Sequence, residues 1–241
     1  MKYGDFAYIY DRLICDDIDY DKWCDYLENL FHEYNCAPER ICELACGTGN
    51  MTSRLAVRGY DMTGVDISSD MLTVAADKSP HSRFICSDMS RFETDTEYDA
   101  VLCMIDGINY QITPKSVLRT FKNVRKSLTR GGVFIFDIST AYKLGTVIGN
   151  DTFIHSDSDI FYSWQNEYIE KYNLSYMLLN FFVREGNKYR RFEEQHIQRG
   201  WSERHLRYML KSAGFSETTV YDELTAHTPT PESQRIVFVC K

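Results

Sequence analysis

The run Glu43-Leu44-Ala45-Cys46-Gly47-Thr48-Gly49-Asn50 carries the most specific chemistry in this chain. Two glycines at a strand-to-helix turn let the backbone approach a ligand closely, because no Cβ stands between them. Such turns serve two classes of ligand. A dinucleotide site takes a third glycine, in the pattern G-x-G-x-x-G, so that helix packs on strand and a pyrophosphate meets the helix N-terminus. That position is Thr52 here, and Glu43 stands just before the turn. A carboxylate there repels pyrophosphate and suits a ligand with a cationic amine. Asp66 ends the next apolar run, where a carboxylate takes both hydroxyls of a ribose. Asp88 follows the third run and can accept from an adenine amino group, with Met89 against the ring. Three acids at three successive strand ends, beside a G-x-G turn, fit a nucleoside that bears positive charge and no phosphate.

This constellation resembles the class I S-adenosylmethionine-dependent methyltransferases, over roughly residues 36–138 and the closing strands near 215–240. The resemblance implies S-adenosylmethionine as cofactor. It makes Glu43 to Gly49, with Ala45 and Gly47, the first cofactor motif. Asp66 is then the ribose acid, followed by Ile67, and Asp88-Met89 the adenine pair. Tyr98 to Met104 looks like the family's fourth strand, with Met104 at the cofactor, and the loop Ile105 to Tyr110 flanks the transferred methyl group. The opening Tyr3-Gly4-Asp5-Phe6-Ala7-Tyr8-Ile9-Tyr10-Asp11 resembles the small-molecule branch, which includes uncharacterised bacterial methyltransferases and sugar-amine N-methyltransferases. In that branch an N-terminal Tyr-containing segment covers the cofactor, which implies roles for Tyr3 and Tyr10. An antiparallel insertion after the fifth strand covers the substrate.

Methyl transfer from a sulfonium is an in-line displacement in which the protein chiefly supplies proximity and orientation. An amine acceptor need only be neutral when it attacks; a hydroxyl needs a base within hydrogen-bond reach. Asp106, Tyr110 and His196 are the candidate catalytic residues, and the sequence does not choose between them. The loop Met104-Ile105-Asp106-Gly107 is not Asn-Pro-Pro-Tyr, which argues against methylation of a flipped adenine. No second carboxylate arrangement makes a magnesium site, so no metal is expected.

The elements that position these residues follow from periodicity. Apolar runs at Arg40–Ala45, Asp61–Asp66, Arg83–Cys86, Tyr98–Met104 and Val133–Ile138 alternate with helical patterns at Met51–Val57, from Ser68 or Ser69 to Ala76, and at Pro114–Leu128. An earlier helix is expected from Asp21 to Tyr34. The expected fold class is α/β: a doubly wound, mostly parallel, seven-stranded Rossmann-like sheet with right-handed crossovers. Between Phe153 and Arg199 the pattern changes to three aromatic-rich strands, Phe161–Tyr168, Ser175–Arg184 and Lys188–Gln198, with Glu185-Gly186-Asn187 as a hairpin turn. A helix from Ser202 to Ala213 and strands at Phe215–Tyr221 and Arg235–Cys240 close the chain. Residues 1–241 read as a single methyltransferase domain, with 1–38 as an N-terminal cap and 150–200 as an antiparallel lid after strand five.

Composition narrows the function class. The chain has 241 residues, with 27 Lys and Arg against 35 Asp and Glu, a net charge of −8 that disfavours broad nucleic-acid binding. No stretch approaches the ~20 apolar residues of a membrane helix, and the start lacks the apolar run of a secretory signal, so a cytoplasmic enzyme is expected. Eight cysteines form no Cys-x-x-Cys pair and read as free thiols. The expected partner is a small-molecule methyl acceptor, met by a monomer or homodimer with no membrane. The rivals are a methyltransferase acting on RNA or protein, a dinucleotide oxidoreductase opposed by Thr52 and Glu43, and a non-catalytic S-adenosylmethionine-binding protein.

Overall fold

A computed structural model describes residue 11 and residues 18–241. Five strands come first: β1 (Arg40–Leu44), β2 (Asp61–Asp66), β3 (Arg83–Cys86), β4 (Tyr98–Cys103) and β5 (Leu128–Ser139). β6 (Thr152–Ser156), β7 (Ile160–Ile169), β8 (Leu174–Glu185) and β9 (Lys188–Arg199) follow, then β10 (Thr218–Asp222) and β11 (Arg235–Cys240). The helices are α1 (Tyr20–Glu33), α2 (Asn50–Val57), α3 (Ser69–Lys78), α4 (Pro114–Ser127) and α5 (Glu203–Ala213). Their starts are set by side chains accepting orphan backbone N–H groups: Asp19 from Lys22, Ser68 from Met71, Thr113 from Ser116 and Ser202 from His205.

The main sheet has the order β10-β11-β5-β4-β1-β2-β3. β1 to β5 pair in parallel, whereas β11 runs antiparallel to both β5 and β10. This is the doubly wound α/β sheet expected from the alternating runs. The strands are apolar on both faces because helices cover both. Cys42, Val101, Phe134, Phe136 and Phe238 face Val117, Phe121 and Val124 of α4 and Leu206 and Leu210 of α5. Their strand neighbours Ile41, Ala100, Leu102, Ile135 and Val237 face Trp23, Leu27 and Phe31 of α1 and Met51 and Leu55 of α2. The strand order reverses between β1 and β4, and the crevice at the carboxyl ends there is where open α/β sheets bind ligands.

β6 to β9 form a separate four-stranded antiparallel sheet in chain order. Gly186 and Asn187 turn β8 into β9, and Gly186 takes φ +66° at the first central position, where type II′ turns place glycine. The inner face of this sheet packs at one end on Met71 of α3, through Ile160, Phe181 and Phe192. Farther along the same face, Met177, Trp164 and Tyr168 pack on Leu144 and Ile148 of a single π-helical turn, Lys143–Ile148. The sheet therefore reaches from the helix after β2 to the turn after β5.

Two differences from the sequence reading have local causes. β6 was not among the expected strands: its five residues are flanked by Asp and Ser, which read as loop, and pairing with β7 supplies what its own pattern lacks. β5 begins at Leu128, not Val133, because Gly131, at φ +88°, and Gly132 carry the strand through a register shift opposite Tyr98 and Ala100.

Candidate active site

The glycine turn joins β1 to α2 and adopts a backbone that other residues resist. Gly47 has φ +53° and Gly49 φ +72°, both in the left-handed region. A Cβ on Gly49 would stand 2.8 Å from the Ala75 Cβ of α3, so the helices meet there only because none is present. The Gly47 N–H donates to Asp66 Oδ2 at 2.9 Å, and the Ser68 N–H donates to Asp66 Oδ1 at 2.9 Å. The strand-end acid of β2 thus fixes the turn of β1. Burial raises the Asp66 carboxyl above its ordinary value against backbone bonds from Ser68, Gly47 and Ile67.

A cleft opens beside the turn, lined by Tyr20, Glu43, Ala45, Cys46, Gly47, Thr48, Asn50, Met51, Met104 and Ile105. Glu43 is 3% exposed, and burial pushes its carboxyl up to about 8. Its side-chain hydrogen-bond donor is the hydroxyl of Thr52, the residue that stands where a dinucleotide fingerprint has its third glycine. The departure from that fingerprint and the acid are one feature: Thr52 holds Glu43 in place. Ile67 is 73% exposed beyond Asp66, Asp88 accepts from the Ser90 N–H at 2.8 Å, and Met89 is buried next to it.

The loop after β4 is strained and tied from three directions. Ile105 and Asp106 have φ +57° and +68°. Their N–H groups both donate to Asp137 of β5. Arg235, at the start of β11, donates to Asp106 and Asp137, and Ser139 Oγ donates to Asp106 at 2.7 Å. Burial works against the Asp106 charge, but Arg235 and Lys143 outweigh it and hold the carboxyl below its ordinary value. Asp137 is fully buried, and there burial wins and pushes its carboxyl up to about 6. Asp106 is therefore engaged in holding the loop. The sequence signal for this knot was present but unused: Asp137 and Arg235 are the charges of two otherwise apolar strands, FIFDI and RIVFV.

Tyr110 and His196 lie 86 residues apart and meet. The Tyr110 hydroxyl is 3.3 Å from His196 Nδ1, and the rings stand edge to face at 5.9 Å. Asn109 makes the meeting possible. Its Nδ2 donates to the carbonyls of Ser139 and Arg199, and its Oδ1 accepts from the Ser139 N–H, so the loop is pinned to the ends of β5 and β9 together. Trp201 Nε1 donates to the Gln111 carbonyl and Arg199 to the Ile112 carbonyl, closing the same clamp. Burial lowers His196 below its ordinary value, so the imidazole is neutral at pH 7.

Tyr3 and Tyr10 lie outside the described residues. Asp11, next to them in sequence, accepts from Thr48 Oγ1 at 2.7 Å and from Asn50 Nδ2 at 2.9 Å, and pairs with Lys78. Asp11 is thereby fastened to the glycine turn.

A cleft at the strand-order reversal, a G-x-G turn and acids at successive strand ends define a nucleoside-binding α/β protein whose ligand carries a cation. Residues 41–132 match the family described as "Methyltransferase domain". The chain is 36% identical to the putative methyltransferase YqeM of Bacillus subtilis, over 99% of this chain and 96% of that protein. It is 35% identical to an S-adenosylmethionine-dependent methyltransferase of Clostridium acetobutylicum of known crystal structure, with a TM-score of 0.89 over 99% of this chain and 98% of that one. A shorter likeness, 27% over 40% of this chain and 41% of the relative, is to the dTDP-3-amino-3,4,6-trideoxy-alpha-D-glucopyranose N,N-dimethyltransferase of Streptomyces venezuelae. This chain belongs to the class I S-adenosylmethionine-dependent methyltransferases. Its cofactor is S-adenosylmethionine.

The residues present fit that cofactor. The cleft has an acid for an ammonium group; Asp66, at the end of the neighbouring strand β2, suits ribose hydroxyls, and Asp88 and Met89, after β3, suit an amino-purine. Among the described residues, no helix is long and apolar enough to cross a membrane.

Proposed function

We propose that this enzyme methylates a nitrogen of a small molecule, and that the acceptor lies between the glycine turn and the β6–β9 sheet. The carrying observation is the Tyr110–His196 pair, which joins the loop after β4 to the inner face of that sheet. Bound S-adenosylmethionine supplies an electrophilic sulfonium methyl group. Glu43, Gly47, Gly49, Asp66, Asp88 and Met89 hold the cofactor in this reading, with Ala45, Met104 and Ile67 beside it and Tyr3 and Tyr10 covering it. Asp137, Arg235 and Asp106 hold the strained loop and so aim Tyr110. Neutral His196 accepts the proton that the acceptor nitrogen releases, and Tyr110 orients the imidazole. Residues 150–200 act as a lid that excludes water, within one catalytic domain of 241 residues capped by residues 1–38. The amino-sugar substrate in the name of the Streptomyces relative supports nitrogen as the reacting atom.

The test is to incubate the protein with methyl-labelled S-adenosylmethionine and an extract of its own cells, then separate acid-soluble from precipitated label. A new soluble labelled amine is expected. Label in precipitated protein or nucleic acid overturns the small-molecule reading.

A further inference from the structure

The inner face of the β6–β9 sheet is ordered in cross-strand rows. One row runs Phe153, Trp164, Leu179, Glu194, and the next holds Asn166, Met177 and His196. Leu179 packs with both apolar clusters of this face, so Glu194 is a carboxylate set among hydrophobic side chains. Burial raises its pKa, and no charge or hydrogen bond among the described residues offsets that. A half-buried acid without a partner costs stability and is retained where a ligand answers it. Two more polar atoms of these rows, Trp164 Nε1 and Asn166 Oδ1, are buried without a hydrogen-bond partner among the described residues. Glu194 and His196 are two residues apart on one strand, so their Cα atoms are about 7 Å apart on the same face.

We infer that Glu194 is a specificity residue that pairs with a second, cationic amine of the acceptor, held about 7 Å from the nitrogen that is methylated beside His196. The acceptor class is then a small diamine, and the spacing along β9 measures the separation of its two nitrogens. This inference rests on the nitrogen-methylation reading above. The apolar neighbours suit it, because a partly desolvated carboxylate discriminates between a cation and a methyl group more than one in open water does.

The experiment uses the full chain saturated with S-adenosylhomocysteine, titrated calorimetrically with pentylamine and with 1,5-diaminopentane. Wild type is expected to bind the diamine at least about tenfold more tightly, well beyond the twofold statistical advantage of two equivalent ends. In E194Q that preference falls to about twofold, and in E194D it is partly kept. Unchanged S-adenosylhomocysteine affinity in both variants shows that they are folded. Equal affinities in wild type, no diamine binding, or a preference that survives in E194Q each overturn the inference. Failure of the methylation reading shows separately, as absence of labelled soluble amine in the extract assay, whatever the calorimetry gives.

Discussion

Glu43 shows how one residue ties stability to binding. Its folded pKa, about 8, lies above the ordinary carboxyl value of 4.5, so the folded state prefers the proton. Stability from this group is fully present below about pH 4.5 and is lost as pH rises through about 8. Glu43→Gln, which keeps an acceptor for Thr52, should therefore raise Tm at pH 8.5 and leave it nearly unchanged at pH 5; scanning calorimetry at the two pH values checks this. An ammonium group beside Glu43 reverses its preference and expels the proton. Binding of S-adenosylmethionine at pH 7 should release about one proton, read from calorimetry in two buffers of different ionisation enthalpy, and E43Q should release none. At the acceptor side, His196→Ala should lower kcat about 10²-fold on the acceptor isolated from extract, and Tyr110→Phe less. Because burial lowers the His196 pKa, the acid limb of the kcat profile should fall below pH 6.5. A limb above pH 7 would remove His196 as the base.

At the level of elements, the two glycines of the turn separate conformational strain from packing. Both have positive φ, but a Cβ on Gly47 meets nothing within 4 Å, whereas one on Gly49 strikes Ala75 of α3. Gly47→Ala should cost about 1–2 kcal/mol, the price of a left-handed backbone for an L-residue. Gly49→Ala should cost about 2–4 kcal/mol, because α2 and α3 must also move apart. Urea unfolding of both variants tests the order, and equal losses would mean that α3 yields without cost. The element pattern itself was readable from periodicity: the strand-end acids at 43, 66 and 88 and the cap at Ser68 stand where their runs end. β6 was not readable, since a short strand flanked by Asp and Ser exists only through its pairing with β7.

For the whole molecule, Arg235 is the tie between the closing strand and the loop after β4. Arg235→Met leaves Asp106 and Asp137 facing each other with only the charge of Lys143 to answer them, and should destabilise by about 3–5 kcal/mol. The loss should be smaller when Asp137→Asn is added, since one buried charge is then removed. Chemical denaturation of the single and double variants checks this coupling. A purely additive loss would show that the three side chains do not act as a unit.

The chain by itself determined the fold class and the cofactor. Glycines, strand-end acids and helix caps are local signals, because each acts within a few residues of the strand that carries it. The arrangement of the loop after β4 was decided only by tertiary structure. Asp106, Tyr110 and His196 were three equal candidates in sequence; the fold commits Asp106 to Arg235 and brings Tyr110 to His196. That choice depends on Asn109 joining the ends of β5 and β9, a contact between residues 90 apart that no periodicity encodes. Glu194 is likewise one of two acids on β9 until the register places it inward, in line with Leu179 and Trp164, where it is partly withdrawn from water.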